Sequence, residues 1–178
     1  RLSVRTSCDY LNEQLPYQDA GAMLLIEVDG TVRERVDEDA EVIGEMCLDA
    51  GASEVYVADN YTTQERVWSV RRNIAEAFKV YSPEQSLEDI VVPVGSIVAL
   101  MPKIAALSEK YGLQLPTYGH AGDGNLHTTL VKPPEWSREQ WLQAESELLS
   151  ELYAEVRSLG GKLSGEHGIG SKRRSYLE

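Results

Sequence analysis

The stretch Gly119-His-Ala-Gly-Asp-Gly-Asn-Leu-His127 restricts the fold more than any other part of this chain. On a helix, histidines at 120 and 127 would share one face, but Gly122 and Gly124 would each cost that helix about 1 kcal/mol. In an unbroken strand their odd separation would send them to opposite faces. They can meet only if the chain reverses between them, and Asp123-Gly124 is a strong tight-turn dipeptide. Beyond the turn, Asn125, His127, Thr129 and Val131 share one face of a strand, and Leu126, Thr128 and Leu130 the other. The spelling therefore predicts a loop that presents two imidazoles and an amide to one point.

The third and last histidine lies in a second glycine-rich stretch, Ser164-Gly-Glu-His-Gly-Ile-Gly170. Glycines on both sides let this backbone approach a ligand closely or adopt positive φ. In extended chain neighbouring side chains diverge, so Glu166 and His167 are expected to serve different targets. Two histidines and a glutamate are a usual ligand set for a catalytic divalent metal that keeps one position open for substrate. Zinc, manganese or iron would all suit it. The plainer alternative is a pair of ordinary turns whose histidines cap carbonyls.

Charge and composition narrow the function classes. Lys plus Arg number 17 against 29 Asp plus Glu, a net charge of −12, so no basic face is expected for nucleic acid. No apolar run approaches the ~20 residues of a membrane helix, and the first residues have no apolar signal core. Two cysteines, Cys8 and Cys47, do not make a disulfide scaffold, and a reducing cytoplasm suits them.

Periodicity gives a coarse order of elements. Residues 1–19 read as a lead-in segment, helical in part. Residues 22–28 form a nearly continuous apolar run and predict a buried strand. Val42, Ile43, Met46, Cys47 and Ala50 make one helical stripe over residues 37–51, with Cys47 expected in the core. Residues 53–58 alternate as a second strand, 62–80 predict one amphipathic helix, and 89–92 a short strand. Residues 96–111 predict a helix that either kinks or starts late at Pro102, and Gly112 stops it. Ser137 and Gln140 spell a capping box, and Trp136 and Trp141 a hydrophobic staple, at the start of a long helix ended by Gly160-Gly161. No glycine-rich phosphate loop links a strand to a helix, so between a parallel α/β fold and an antiparallel sheet with helices, α+β is favoured.

Two basic features remain. Arg71 falls at the border of the apolar stripe of the 62–80 helix, where a guanidinium either snorkels, forms a structural ion pair or binds a substrate carboxylate. Lys172-Arg173-Arg174 reads as a solvated basic turn, with an anionic cofactor as the alternative.

The two glycine-rich stretches, together with Lys172-Arg-Arg-Ser-Tyr-Leu177, resemble the C-terminal domain of FAD-linked oxidases. The resemblance extends over residues 20–178, with Val67-Trp68-Ser-Val-Arg71 and Asp89-Ile-Val-Val-Pro93 in the family's order. It implies an α+β domain with an antiparallel sheet covered by helices. It also implies an FAD-dependent D-2-hydroxy acid dehydrogenase or oxidase of glycolate or D-lactate type, related to D-2-hydroxyglutarate dehydrogenases. In such enzymes an FAD-binding domain precedes this one; nothing upstream of Ala20 resembles it, and relatives continue past Leu177. The chain is therefore expected to be a fragment, inactive alone, whose FAD is bound mainly by another domain of the parent chain. Carried over by motif, the metal ligands fall on His120, His127 and Glu166, the catalytic base on His167, and the substrate carboxylate on Arg71. Thr129 falls on a substrate-contacting position of different residue type. Asn125 either contacts flavin or orders the loop. Leu87 stands where some relatives carry a lysine, which counts against a dicarboxylate substrate. The implied partners are a small 2-hydroxy acid and an electron-acceptor protein or quinone. The implied location is the cytoplasm, with peripheral membrane association through a partner as the alternative. A metal-dependent hydrolase and a non-enzymatic interaction domain are the rival readings.

Overall fold

The computed structural model describes residues 1–16 and 18–177. Two compact units, Ser3–Arg72 and Asn73 onward, divide the chain. The first holds helices α1 (Leu2–Leu11), α2 (Arg33–Asp49) and α3 (Tyr61–Arg72). The Ser7 hydroxyl donates to the Val70 carbonyl at 2.7 Å, and Arg66 grips the Glu13 carboxylate through Nε and Nη2, both at 2.9 Å; together they fasten the α1 end to α3.

Three expectations fail in this unit. Residues 22–28 and 53–58 join no ladder among the described residues, and Leu24 is 65% exposed. Cys47 is half-buried rather than core, and α2 buries none of its residues. The physical reason is common to all three. An apolar run or stripe specifies which surface seeks cover, whereas ladder partners and covering elements come from elsewhere in the chain. The predicted 62–80 helix also breaks: α3 stops at Arg72, Asn73 takes φ −95°, and α4 (Ile74–Tyr81) restarts. The single 62–80 stripe on whose border Arg71 was placed is therefore divided between two helices.

The second unit is an α+β arrangement, as expected. Strands β1 (Gln85–Val91), β2 (Thr117–His120) and β3 (Asn125–Val131) form an antiparallel sheet of order β1-β3-β2. Every residue of the central strand β3 is buried. Its alternation divides the sheet into two faces. Leu126 and Leu130, with Ile90, join a core supplied by Leu100, Ile104 and Leu107 of α5 (Ile97–Tyr111) and Leu148, Leu149, Leu152 and Val156 of α6 (Arg138–Ser158). On the opposite face Val131 clusters with Ile74 and Phe78 of α4, against Tyr118.

Strand β1 begins four residues earlier than the hydrophobic pattern predicts, because polar Ser86 and Glu88 are buried within it. Helix α5 does not start late: it begins at Ile97, and Pro102 lies inside it. The proline removes the donor that would meet the Val98 carbonyl, and Val98 is 80% exposed, so water can serve that group. Gly112 closes the helix at φ 63°.

Helix α6 starts on the capping box: Gln140 N–H donates to Ser137 Oγ at 3.2 Å, and Ser137 N–H to Gln140 Oε1 at 2.9 Å. Trp141 is buried, and Trp136 packs partly buried on the same core. Ser137→Ala removes one bond of this cap and should lower stability by about 1 kcal/mol. Urea denaturation checks it: the midpoint should fall with the slope unchanged.

Candidate metal and substrate site

The reversal predicted at Asp123-Gly124 exists as a short 3₁₀ turn, Ala121–Asp123, followed by Gly124 at φ 72°. Only glycine fits there: a Cβ would lie 1.9 Å from the Val92 carbonyl oxygen. Gly119 is equally constrained, since its Cβ would meet the Asn125 oxygen at 2.2 Å. The close hairpin carries His120 and His127 to one place, ring centroids 5.8 Å apart and edge to face. His127 is buried in the central strand, whereas His120 is exposed at the end of β2.

The second glycine-rich stretch reaches the same point through Asp89, which pairs with His127 in the β1–β3 register. Asp89 is completely buried. Its Oδ2 accepts from the Ser164 hydroxyl at 3.0 Å and from the backbone N–H groups of Gly165, Glu166 and His167 at 3.0, 2.8 and 2.7 Å. Its Oδ1 accepts from the Asn125 amide at 2.7 Å. Three successive N–H groups curled round one anion form a backbone nest, here filled by a side chain of the same domain. Burial alone would raise the carboxyl pKa. The donors from His167, Asn125, Glu166 and Ser164 outweigh it and hold Asp89 well below the ordinary carboxylate range.

The nest bends the chain, so Glu166 and His167 do not diverge as extended chain would require. Glu166 Oε1 lies 3.2 Å from His127 Nε2 and 3.5 Å from His167 Nε2. The His167 ring stacks on that of His127, centroids 5.2 Å apart and 16° from parallel. Glu166 and His167 keep about half of their side-chain surface open to solvent.

Donor atoms of His120, His127 and Glu166 all lie within 4.8 Å of one another. Two ligands about 2.1 Å from one cation at a tetrahedral angle stand roughly 3.4 Å apart, close to the separation of His127 and Glu166. Two imidazoles and a carboxylate therefore fit a zinc, manganese or iron ion in both donor chemistry and spacing. A second grouping, Asp89, His127 and His167, satisfies the same distance test. It is a poorer ligand set, because the Asp89 oxygens already accept five hydrogen bonds. Asp89 acts instead as the group that orients the loop carrying Glu166 and His167.

The other sequence-predicted residues are distributed as follows. Asn125 orders the loop through Asp89 and sits so close to Gly165 that a Cβ there would lie 1.7 Å from its Nδ2. Thr129 is buried on the His127 face of β3, opposite Leu87 in register. Arg71 lies in the last turn of α3 and belongs to the first unit. Sequence reasoning missed Asp89 as the organiser. Its signal was a single carboxylate opening the apolar run Asp89-Ile-Val-Val92.

Asp89→Asn exchanges an acceptor-only anion for an amide that cannot fill the nest, and should cost roughly 3 kcal/mol. A depressed carboxyl stabilises the fold fully above the ordinary aspartate value near 3.9 and loses that contribution as pH falls through the lowered value. Urea denaturation against pH should therefore show wild-type stability dropping below about pH 4, with a shallower drop in Asp89→Asn. Equal slopes in the two proteins would remove Asp89 from this role.

No helix among the described residues is long and apolar enough to cross a membrane. The chain matches the family described as FAD linked oxidases, C-terminal domain, over residues 1–178. It is 36% identical over 180 residues to the glycolate oxidase subunit GlcD of Escherichia coli K12, covering 99% of this chain and 34% of that protein. It is 31% identical over 165 residues to the D-lactate dehydrogenase of Anaerostipes hadrus, covering 93% and 34%. It is 30% identical over 161 residues to the D-2-hydroxyglutarate dehydrogenase of Stutzerimonas stutzeri, covering 86% and 33%. The chain thus spans about a third of the length of these relatives. The glycine-framed loops and the match over the full sequence lead to one assignment: this chain belongs to the FAD-linked oxidases and represents their C-terminal domain.

Proposed function

We propose that this domain is the substrate side of an FAD-dependent enzyme that oxidises a D-2-hydroxy acid of glycolate or D-lactate type to the 2-oxo acid. The observation that carries the reading is the meeting of His120, His127 and Glu166 with His167 stacked beside them. The names of the relatives supply the substrate class. A divalent cation held by His120, His127 and Glu166 would polarise the substrate's hydroxyl and carboxylate oxygens, and FAD on a further domain would accept the hydride.

The chain's own residues have distinct tasks in this reading. By motif, Arg71 is the residue for the substrate carboxylate, a task its guanidinium fork suits. His167 accepts the hydroxyl proton on a ring nitrogen, a task suited to an imidazole near neutral pH. Its half-exposed ring and its stacking on His127 support the role, because the base must reach substrate without swinging freely. Buried His127 and Asp89 form the fixed floor. Thr129 extends that floor toward the substrate's second substituent. Leu87, opposite Thr129, gives that side an apolar wall that favours a monocarboxylate over a dicarboxylate. Asn125 serves the loop first and the flavin edge second. An acceptor protein or quinone would take up the electrons, with the enzyme in the cytoplasm or held peripherally at a membrane by that partner.

Two experiments on the full-length flavoprotein test this. His167→Ala should lower turnover of glycolate or D-lactate by about 10²–10⁴-fold with metal content unchanged by elemental analysis. Unchanged turnover would reject His167 as the base. Dialysis against a chelator should abolish turnover while flavin absorbance stays, and added Zn²⁺, Mn²⁺ or Fe²⁺ should restore it. Full activity of metal-free enzyme would end the metal part of the proposal.

A further inference from the structure

The mechanism above leaves one buried charged cluster unused. Glu88 precedes Asp89 on β1 and therefore points to the other face of the sheet. It is completely buried, and its Oε1 accepts from the Ser86 hydroxyl at 2.7 Å and from Lys172 Nζ at 2.8 Å. Its Oε2 accepts from Arg173 Nε at 2.9 Å and from the Tyr153 hydroxyl. Arg173 also donates to the backbone: Nη1 to the Gly168 carbonyl at 3.0 Å and Nη2 to the Leu87 carbonyl at 2.9 Å. The basic run read from sequence as a solvated turn is thus partly interior, with Arg173 only 9% exposed.

We infer that Glu88 and Arg173 are positioning residues for the Glu166–His167 pair, forming with Asp89 a two-sided clamp on the loop that carries it. This rests on the functional reading above for the tasks of Glu166 and His167. Asp89 holds the N–H of His167 from one face of β1, and Arg173, fixed by Glu88 on the other face, holds the carbonyl of Gly168. The backbone around His167 is therefore pinned on both sides by neighbouring residues of one strand. The loop needs such restraint. It contains Gly168 and Gly170, at φ 78° and 60°, and glycines leave a backbone unusually free. The side chains of Glu166 and His167 are half-exposed, so their aim depends on the backbone that carries them. Stability alone is a weak reason for such a cluster, because a buried ion pair commonly contributes no more than a well-packed neutral replacement.

The discriminating experiment compares Glu88→Gln, Arg173→Met and the double variant in the full-length flavoprotein. Each single change strands a buried charge or polar group and should lower the melting temperature. The double change removes both charges, while Lys172 keeps Glu145 at 3.1 Å, so its melting temperature should return toward wild type. With stability restored, amide hydrogen exchange of residues 165–168 should still be roughly ten-fold faster. Zn²⁺ affinity, titrated with the metal alone, should fall about 10–100-fold. Turnover should fall by a similar factor, with KM changed less than about two-fold. Wild-type exchange and wild-type Zn²⁺ affinity in the double variant would overturn the clamp. If the wild-type protein oxidises no 2-hydroxy acid, the assigned reaction fails, and the exchange measurement still decides the clamp by itself.

Discussion

A single buried carboxylate, that of Asp89, accepts five hydrogen bonds and joins three parts of the chain that are far apart in sequence. It sits on β1, pairs with His127 on β3, and holds the 164–167 backbone that carries Glu166 and His167. Such an anion is costly to bury alone and strongly favourable once fully satisfied, so it acts as an all-or-none latch. With the latch closed, an imidazole from the hairpin and a carboxylate from the distant loop stand 3.2 Å apart. Every statement about the site depends on that closure.

The sheet beneath supplies the rigidity. β3 is buried along its whole length and paired on both sides, so His127 can move only if the core moves. Leu126 and Leu130 on its other face lie in the α5–α6 core, which ties His127 to the main hydrophobic core of the unit. Close backbone approach, not flexibility, explains three of the glycines. At Gly119, Gly124 and Gly165 a Cβ would collide with groups of the hairpin, of residue 92 or of the Asn125 amide. The two faces of β1 divide the labour, Asp89 on the site side and Glu88 on the core side.

Legibility in the sequence followed the range of the interaction. The hairpin reversal, the capping box of α6 and the helix-ending glycines are local, and their residues alone specify them. The α+β class and the two-faced alternation of β3 were readable for the same reason. The early start of β1 was hidden because Ser86 and Glu88 look solvent-facing until Lys172, Arg173 and Tyr153 arrive to satisfy them. The break at Asn73 was hidden because the apolar stripe continues across it. In the first unit the apolar pattern of residues 22–28 and of α2 marked a wish for burial that no described neighbour meets within a ladder or a core.

The spelling by itself determined which side chains have the chemistry of a site, where the chain must turn, and which face of each strand they occupy. These follow from glycine's missing Cβ, from the two-residue period of a strand and from the scarcity of histidine. Only the tertiary structure decided that Glu166 and His167 converge instead of diverging, and that Arg173 is an interior clamp. Both outcomes depend on Glu88 and Asp89, about eighty residues earlier, whose buried charges are tolerable only when the distant loop supplies their hydrogen bonds.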